Sequence, residues 1–277
     1  MGVVTNEINI KKLQLGVEAL PVIMSSVQSM KLQIGNVSDT KNAGNHNSIY
    51  RGKNLGSEVT AAQWAAISDG TFDDLFIGDY WEMNSIKYRI AHFDYWLNSG
   101  SDNTTAHHVV IVPDAALYTA KMEETDISTN GYAGSKMRGG DDYLVENSSN
   151  LYDAKVAIEA AFGSSHILSH KVQLSTASSS GKASAVAWKD STIDLMNEVM
   201  VYGSLIVSTD GKGKEVGVDK SQFALFALDP SMISTRTFWW LRGIASAAAF
   251  CGVTYNGGVG DDTASHAYGV RPCFAIK

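Results

Sequence analysis

Two bulky stretches near the carboxyl end decide the fold: residues 238–243, FWWLRG, and residues 269–277, GVRPCFAIK. Both combine large apolar side chains with one arginine, and side chains of that size are usually buried. The residues between them are small, polar and rich in glycine. We therefore predict two rigid stretches that enclose a permissive segment. That pattern favours a scaffold that presents a binding surface over a catalytic site.

Length and composition bound the class of protein. The 277 residues are 44% hydrophobic and 18% charged, which is typical of an ordered globular chain with a substantial core. The net charge of −7 at pH 7 argues against nucleic acid as a partner, because phosphate binding needs a basic face. Two cysteines are too few for a disulfide framework, so we expect free, buried thiols.

Targeting signals are not evident in the sequence. The amino terminus lacks the basic and apolar regions of a secretory signal peptide. No apolar run approaches the ~20 residues that a membrane span needs. We expect a soluble protein that is made in a cytoplasm and does not insert into a membrane.

Residues 1–35 differ from the rest of the chain, and we predict a separate segment there, followed by one domain over residues 36–277. The apolar residues of the segment follow a spacing close to a heptad seam, and Pro21 fits the first turn of a helix that runs to about Gln33. Two interpretations remain open: a single amphipathic helix that lies on the domain, or a short oligomerisation or attachment segment. Residues 35–56 are polar and turn-rich, as in a linker or entry loop.

The domain mixes helical and strand patterns without βαβ regularity, which predicts an α+β fold. Helices are predicted at residues 60–67 with Thr60 as N-cap, 115–122, 150–162 with Gly163 as C-cap, and 190–200. Strands are predicted in a hairpin over 79–93 that turns at Asn84-Ser85, and over 107–113. Surface loops are predicted at 175–182 and 208–218.

Catalytic motifs are missing. The sequence has no G-x-S-x-G nucleophile elbow, no phosphate-binding P-loop and no dinucleotide-binding G-x-G-x-x-G. A zinc protease needs a glutamate between its two histidines, whereas His166 and His170 enclose an Ile-Leu-Ser tripeptide. His107 and His108 are adjacent on a predicted strand, so their side chains face opposite ways. Structural histidines are the favoured interpretation for His166 and His170, and His107 and His108 cannot jointly hold one metal ion.

Paired acids and the two thiols are the remaining reactive groups. Asp141-Asp142 and Asp261-Asp262 lie in glycine-rich stretches, but calcium needs oxygen ligands that converge from more positions. A catalytic thiol would need an exposed thiolate of low pKa, and nothing near Cys251 or Cys273 indicates one. We therefore expect no metal and no cofactor. Tyr255 and Tyr268, beside glycine and asparagine, are better candidates for exposed contacts, because such residues form adaptable binding surfaces.

The quoted carboxyl-terminal motifs carry a resemblance. The WWLR start and the GVRPxFxI end resemble the C-terminal signature of C-type-lectin-like domains of the formylglycine-generating-enzyme type. Residues 77–81 (IGDYW), 88–94 (YRIAxFD) and 107–114 (HHVxIVPD) are similar to phage virion proteins of this group. The resemblance covers about residue 49 to the end of the chain. It implies a C-type-lectin-like fold in which residues 270–276 lie near residues 80–90.

The same resemblance implies a function. We expect a virion structural protein that displays the domain on a tail or a head and binds a carbohydrate or protein receptor on the host surface. Residues 243–266 would form the binding face, and the expected contacts are Ser246, Tyr255, Asn256, Asp261, Asp262 and His266. The side chains assigned to the scaffold are Trp239, Trp240, Arg242, Arg271 and Phe274.

Departures from the family narrow the expectation. The calcium-lectin motifs Glu-Pro-Asn and Trp-Asn-Asp are absent, and the context of the oxidase branch is not recognisable around the cysteines. We therefore expect neither calcium-dependent sugar binding nor an enzyme. The alternative function is a capsid decoration or tail-assembly protein with no host ligand. In both cases residues 1–35 would contact other virion proteins, and a homo-oligomer is expected.

Overall fold

A computed structural model of the chain describes residues 42–99, 104–124, 135–146, 150–179, 182–209 and 221–277. Residues Asn42–Lys277 form one compact unit. The predicted segment 1–35 and its boundary lie outside the described residues and stay predictions. Most of the predicted loop at 208–218 also lies outside them.

The described residues contain five α-helices and twelve strands. The helices are α1 Ala43–His46, α2 Ala61–Ser68, α3 Tyr152–Phe162, α4 Glu198–Tyr202 and α5 Ala224–Leu228. The strands are β1 Tyr80–Met83, β2 Ile86–Phe93, β3 Val109–Pro113, β4 Tyr118–Lys121, β5 His170–Ser179, β6 Lys182–Ser191, β7 Ile193–Leu195, β8 Trp239–Ile244, β9 Ala249–Val253, β10 Val259–Thr263, β11 Ala267–Val270 and β12 Pro272–Ile276. Short 3₁₀ helices lie at Lys136–Arg138, Asp141–Tyr143, Ser164–His166 and Pro230–Ile233.

Two five-stranded sheets and one separate hairpin organise these elements. Sheet 1 has the strand order β1-β2-β3-β12-β7, and sheet 2 has the order β10-β9-β8-β11-β4. Strands β5 and β6 pair only with each other among the described residues. Apart from a parallel contact between β8 and β11, the named pairs are antiparallel. The mixture confirms the predicted α+β class.

Strong local signals produce the elements that the sequence predicts correctly. Asn84 and Ser85 both have positive φ, 52° and 64°, which is the backbone that a tight two-residue hairpin turn requires. Thr60 caps α2: its hydroxyl oxygen accepts from the Gln63 amide, and the Gln63 side chain accepts from the Thr60 amide. The apolar run of β3 is buried along its whole length and lies between β2 and β12.

Other predicted elements are wrong because long-range pairing overrides local propensity. The predicted helix over 115–122 is strand β4, which pairs with β11. The predicted helix over 190–200 is divided among the end of β6, strand β7 and α4, because β12 offers β7 a pairing partner. Most of the predicted loop at 175–182 belongs to the paired strands β5 and β6.

The part of the predicted linker or entry loop at 35–56 that the structure describes is mostly irregular, as expected of a loop, but it belongs to the compact unit. Residues 43–46 form α1, and the following residues run beside the first strands of sheet 1 through bridges that join Tyr50 to Ile77 and Asn54 to Tyr80. The guanidinium of Arg51 binds the buried carboxylate of Asp79, with Nη2–Oδ2 at 2.6 Å. Residues 42–56 are therefore part of the domain and pack against it.

The last two strands join the sheets, because β11 belongs to sheet 2 and β12 to sheet 1, with only Arg271 between them. The Arg271 side chain is fully buried. Its Nε donates to the Pro113 carbonyl at 2.8 Å, and its Nη1 donates to the Met232 carbonyl at 3.0 Å. The guanidinium also lies over the rings of Phe226 and Trp239, 5.5 and 5.0 Å from their centroids.

The position of β12 agrees with the expected proximity of residues 270–276 to residues 80–90, but the two stretches do not pair. Strand β12 pairs with β3, which separates it from β2. The rings of Tyr88 and Phe274 bridge that gap, with centroids 6.0 Å apart. All five residues assigned to the scaffold are buried: Trp239, Trp240, Arg242, Arg271 and Phe274.

Removal of the Arg271 guanidinium should destabilise the whole domain. In Arg271→Ala two carbonyls lose charged donors and a cavity opens between the sheets. We expect the free energy of unfolding, measured by urea denaturation, to fall by about 3–5 kcal/mol. Arg271→Lys should recover less than half of this, since an ammonium cannot reproduce the forked geometry. Arg236→Ala, on an exposed loop, should change the value by less than about 0.5 kcal/mol. Equal effects at both arginines would contradict this role.

Candidate ligand-binding face

The segment predicted as a permissive insert is mostly regular sheet. Residues 243–266 contain the end of β8, all of β9 and all of β10. Strand β9 is buried throughout, because it lies between β8 and β10 within sheet 2. The expectation that the whole segment is exposed is therefore wrong. The exposed residues of this segment are Tyr255, Asn256 and Gly258 in the β9–β10 turn, Asp261 on the edge strand β10, and His266 after β10, while the β8–β9 turn is only partly exposed.

Four of the six expected contact residues lie at the two ends of β9, whereas Asp261 and Asp262 lie on β10 opposite Cys251 and Phe250 of β9. Ser246 lies in the β8–β9 turn, and His266 follows β10 at the same end, where the Ala264 amide donates to the Ala248 carbonyl. Tyr255 and Asn256 lie in the β9–β10 turn at the other end. At about 3.3 Å per residue, the five residues of β9 separate the two groups by roughly 13 Å. A ligand that contacts both groups must therefore span the face.

Asp262 is the centre of a fixed polar cluster. Its Oδ2 accepts from the Tyr268 hydroxyl at 2.6 Å, and its Oδ1 accepts from the Thr263 amide at 2.7 Å. The same Oδ1 lies 2.9 Å from Nδ1 of His266. The contacts of His266 are made through Nδ1, and its side chain is 57% exposed, against 30% for Asp262. The cluster holds an imidazole in one orientation at the surface.

The hydrogen bonds of the cluster shift the pKa values of Asp262 and Tyr268 in opposite directions. Burial works to raise the pKa of Asp262, but the hydrogen bonds from Tyr268, the Thr263 amide and His266 outweigh it and hold that pKa below its ordinary value. The pKa of Tyr268 is raised, first because its hydroxyl donates to the Asp262 carboxylate and then by burial. Asp262 is therefore an anion and Tyr268 a neutral donor at physiological pH.

The ring of Phe238 lies beside this cluster, against Gly252 and Gly260. Trp240, Gly252 and Gly260 are opposite one another on β8, β9 and β10, so they share one face of sheet 2. A Cβ at Gly252 would lie 2.2 Å from Phe238, and one at Gly260 would lie 3.6 Å from it. The Phe238 ring therefore occupies the space that a larger side chain at position 252 would fill. It reaches Tyr268 with a centroid distance of 4.3 Å.

Strand β8 explains how these residues meet. In the strand order, β8 and β9 separate β10 from β11, yet the hydrogen bond between Asp262 and Tyr268 joins β10 to β11. The pairing of β8 with β9 shifts register between Trp240 and Ile244, which marks a β-bulge. Bulges bend and twist a sheet locally. We call the face formed by Phe238, Gly252, Gly260, Asp262, His266 and Tyr268 the platform.

The β9–β10 turn adjoins the platform and holds Tyr255 outward. The Thr254 amide donates to the Gly258 carbonyl at 2.8 Å, and the Gly257 amide donates to the Thr254 carbonyl at 2.9 Å. Gly257 has a φ of 88°, which favours glycine. The Ser234 hydroxyl donates to the Tyr255 carbonyl at 2.9 Å. The turn is thus fixed, and the Tyr255 side chain is 69% exposed.

The histidines predicted to be structural have structural partners. His166 ends a 3₁₀ helix while His170 begins β5, so the two do not share a helical face. The ring of His166 stacks on Trp64, with centroids 3.9 Å apart. His170 is buried and its Nε2 lies 2.8 Å from the Asp194 carboxylate. His107 also contacts a carboxylate, with Nδ1 2.7 Å from Oδ2 of Asp94.

The other candidate reactive groups are engaged or inaccessible. Cys251 and Cys273 are free and buried, which confirms the prediction, and burial raises the pKa of Cys273. Asp142 pairs with Lys189 at 2.8 Å, and Asp141 accepts from Thr192. Within the described ranges no group of three or more His, Cys, Asp or Glu side chains is placed to hold a metal ion. Nor does any helix in that part of the chain combine the length and hydropathy needed to cross a membrane.

The sequence predicts the polar residues of the platform as contacts, but it does not predict the aromatic contact surface of Phe238. Asp262 and His266 were expected contacts, and Tyr268 was expected to be exposed, although it is half-buried. Phe238, Gly252 and Gly260 were not singled out. Their signal is the pair of glycines at positions that face each other across two strands, and it can be recognised only once the register is known.

Comparisons with known proteins give no match. No family model, no curated protein and no solved structure is similar to the chain. The function is therefore inferred from the platform and from the sequence resemblance.

The hydrogen bond that fixes Asp262 can be tested directly. In Tyr268→Phe the carboxylate loses the donor at Oδ2, so its pKa should rise. The measurement is a carboxyl ¹³C NMR titration of Asp262. Tyr255→Phe is the matched control, because the Tyr255 side chain is directed into solvent, and it should leave the titration unchanged. An identical Asp262 titration in wild type and Tyr268→Phe would show that the cluster does not exist in solution.

Proposed function

We propose that the protein is a binding protein without catalytic activity and that the platform is its contact surface. One observation carries the proposal: the Tyr268 hydroxyl and His266 fix the Asp262 carboxylate beside the partly buried ring of Phe238. The polar groups are ordered before any ligand arrives, so little conformational entropy is lost on binding. A flat aromatic surface next to fixed donors and acceptors is typical of recognition sites.

The chemistry of the platform supports binding rather than turnover. A Ser-His-Asp or Cys-His mechanism needs a nucleophile within hydrogen-bond reach of the base. The Ser246 hydroxyl instead accepts from the Ala248 amide at 3.2 Å, and both cysteines are buried. His266, oriented by Asp262, has an exposed edge that can donate to or accept from a ligand.

The β9–β10 turn extends the surface. Tyr255 is a large amphipathic side chain on a fixed backbone, and such anchors add contact area at a low entropic cost. Thr254 lies against the position that a Cβ at Gly260 would occupy, at 3.0 Å, so the turn adjoins the platform. Phe238 and the two glycines connect the two groups of expected contacts into one continuous surface.

The biological setting is proposed from the sequence resemblance. We propose a C-type-lectin-like domain of a phage virion protein that binds a carbohydrate or protein receptor on the host surface. Residues 1–35 would attach it to other virion proteins, in a homo-oligomer on the tail or head. The localisation is then the virion. The competing proposal is a decoration or assembly protein, whose platform has no host ligand.

Competition for host cells tests the proposal. Purified wild-type protein should reduce adsorption of the parent phage to its host in a dose-dependent way. Asp262→Asn with His266→Ala, and separately Tyr255→Ala with Asn256→Ala, should each weaken competition about tenfold or more, as expected for loss of central contacts. Val156→Ser is the matched control, because this exposed residue lies on α3, which packs on sheet 1 through Phe162.

The outcomes separate the candidate functions. Each variant must first show a thermal unfolding midpoint within a few degrees of wild type. Full competition by both double variants would refute the platform as the contact surface. An absence of competition by the wild-type protein at any concentration would favour the decoration or assembly role.

A further inference from the structure

Two histidines of the domain accept hydrogen bonds from backbone amides. Nδ1 of His92 accepts from the Ala224 amide at 3.0 Å. Nε2 of His108 accepts from the Trp96 amide at 3.0 Å, while its Nδ1 donates to the Ala106 carbonyl at 2.9 Å. A ring nitrogen can accept only while it carries no proton. Both contacts therefore require the neutral imidazole.

His92 contacts the amino end of helix α5, whose residues Leu225 and Phe226 are buried in the core. Ala224 is the first residue of α5, so its amide is one of the helix donors that lack a partner within the helix. The His92 ring lies against the rings of Phe223 and Tyr95, with centroid distances of 6.2 and 5.0 Å. Tyr95 in turn donates from its hydroxyl to the Ser221 carbonyl at 2.7 Å. His92 and Tyr95 thus hold the amino end of α5, where the Phe223 amide also donates to the Met200 carbonyl at 2.8 Å.

We propose that His92 is an acid-sensitive clasp, which frees the amino end of α5 around Ala224 from β2 when its ring takes up a proton. When Nδ1 of His92 is protonated, its N–H faces the N–H of Ala224, and the hydrogen bond between them is lost. The contact changes from attraction to repulsion, and the partly buried cation gains no carboxylate in exchange. The buried side chains of Leu225 and Phe226 keep their packing, so the release is limited to the first turn of α5.

The groups around His92 do not stabilise its cation. Strand β3 and its approach contribute His108, and the loop after β2 contributes Tyr95, whose own titratable neighbours are Arg242 and the neutral thiol of Cys273. Helix α5 has the sequence ALFAL and carries no charge. Helix α1 contributes His46, which contacts the adjacent Phe93. His108 faces Asp94, His107 and His170.

Proton linkage sets the size and sign of the effect. Burial, followed by the nearby His108, lowers the pKa of His92 from 6.5 to about 4. The attached state therefore binds fewer protons than the released state. Its stability is fully present above pH 6.5 and is lost as the pH falls from 6.5 towards 4. From pH 7 to pH 5 the equilibrium constant for release should rise about 20-fold.

Amide hydrogen exchange on the full-length protein tests the clasp. After correction for the intrinsic exchange rate, the protection of the Ala224 amide should fall about 20-fold between pH 7 and pH 5. The amide of Val110 in β3 should keep its protection. In His92→Asn the amide oxygen lies where Nδ1 was and does not titrate, so the pH dependence at Ala224 should disappear. His108→Gln is the matched control and should retain it.

Three results would overturn the proposal. They are constant protection of Ala224 from pH 7 to 5, equal loss of protection at Val110, and an unchanged pH dependence in His92→Asn. If the asparagine variant does not fold, the imidazole of His92 is titrated by NMR in the wild-type protein. A midpoint near 6.5 with Ala224 still protected would equally refute the clasp.

Discussion

The buried guanidinium of Arg271 is the interaction on which both sheets depend. It lies at the single residue between β11 and β12, where the chain leaves one sheet and enters the other. Burial lowers the pKa of Arg271 to about 10, so the group remains charged at physiological pH. The positive charge is offset by two carbonyls and two aromatic faces. These partners come from β3, α5, a 3₁₀ helix and β8, so one side chain fixes four elements.

The neighbours of Arg271 make this crossing possible. Gly269 allows β11 to lie close to β8, because a Cβ there would be 2.8 Å from the Ala116 side chain and 3.2 Å from the Phe238 carbonyl. Pro272, the first residue of β12, needs no amide partner where the chain changes sheets. The platform lies on sheet 2, where Tyr268 of β11 reaches Asp262 and Phe238 just before the chain crosses to sheet 1.

How much of this could be predicted from sequence depends on the range of the interactions involved. The Asn84-Ser85 turn and the Thr60 cap are local, and both were predicted correctly. Strands β4 and β7 exist because distant strands pair with them, which local propensity cannot reveal. The site shows the same division: Asp262 and His266 were expected from composition. The position of the Phe238 ring depends on cross-strand register and on the bulge in β8.

The domain separates a rigid surface from a proton-sensitive one. The platform is fixed by a carboxylate whose pKa lies below its ordinary value, so it keeps its charge as the solution becomes mildly acidic. The contact between His92 and Ala224 joins β2 of sheet 1 to α5, away from the strands of the platform, and it weakens over the same pH range.

Hydroxyl-radical footprinting of the protein bound to intact host cells tests whether the platform is the contact surface. Oxidation of Phe238, Tyr255, His266 and Tyr268 should fall together on binding, while exposed aromatic residues elsewhere, such as Trp188 on β6, should keep their reactivity. Protection of Trp188 with unchanged oxidation at the platform would contradict this assignment.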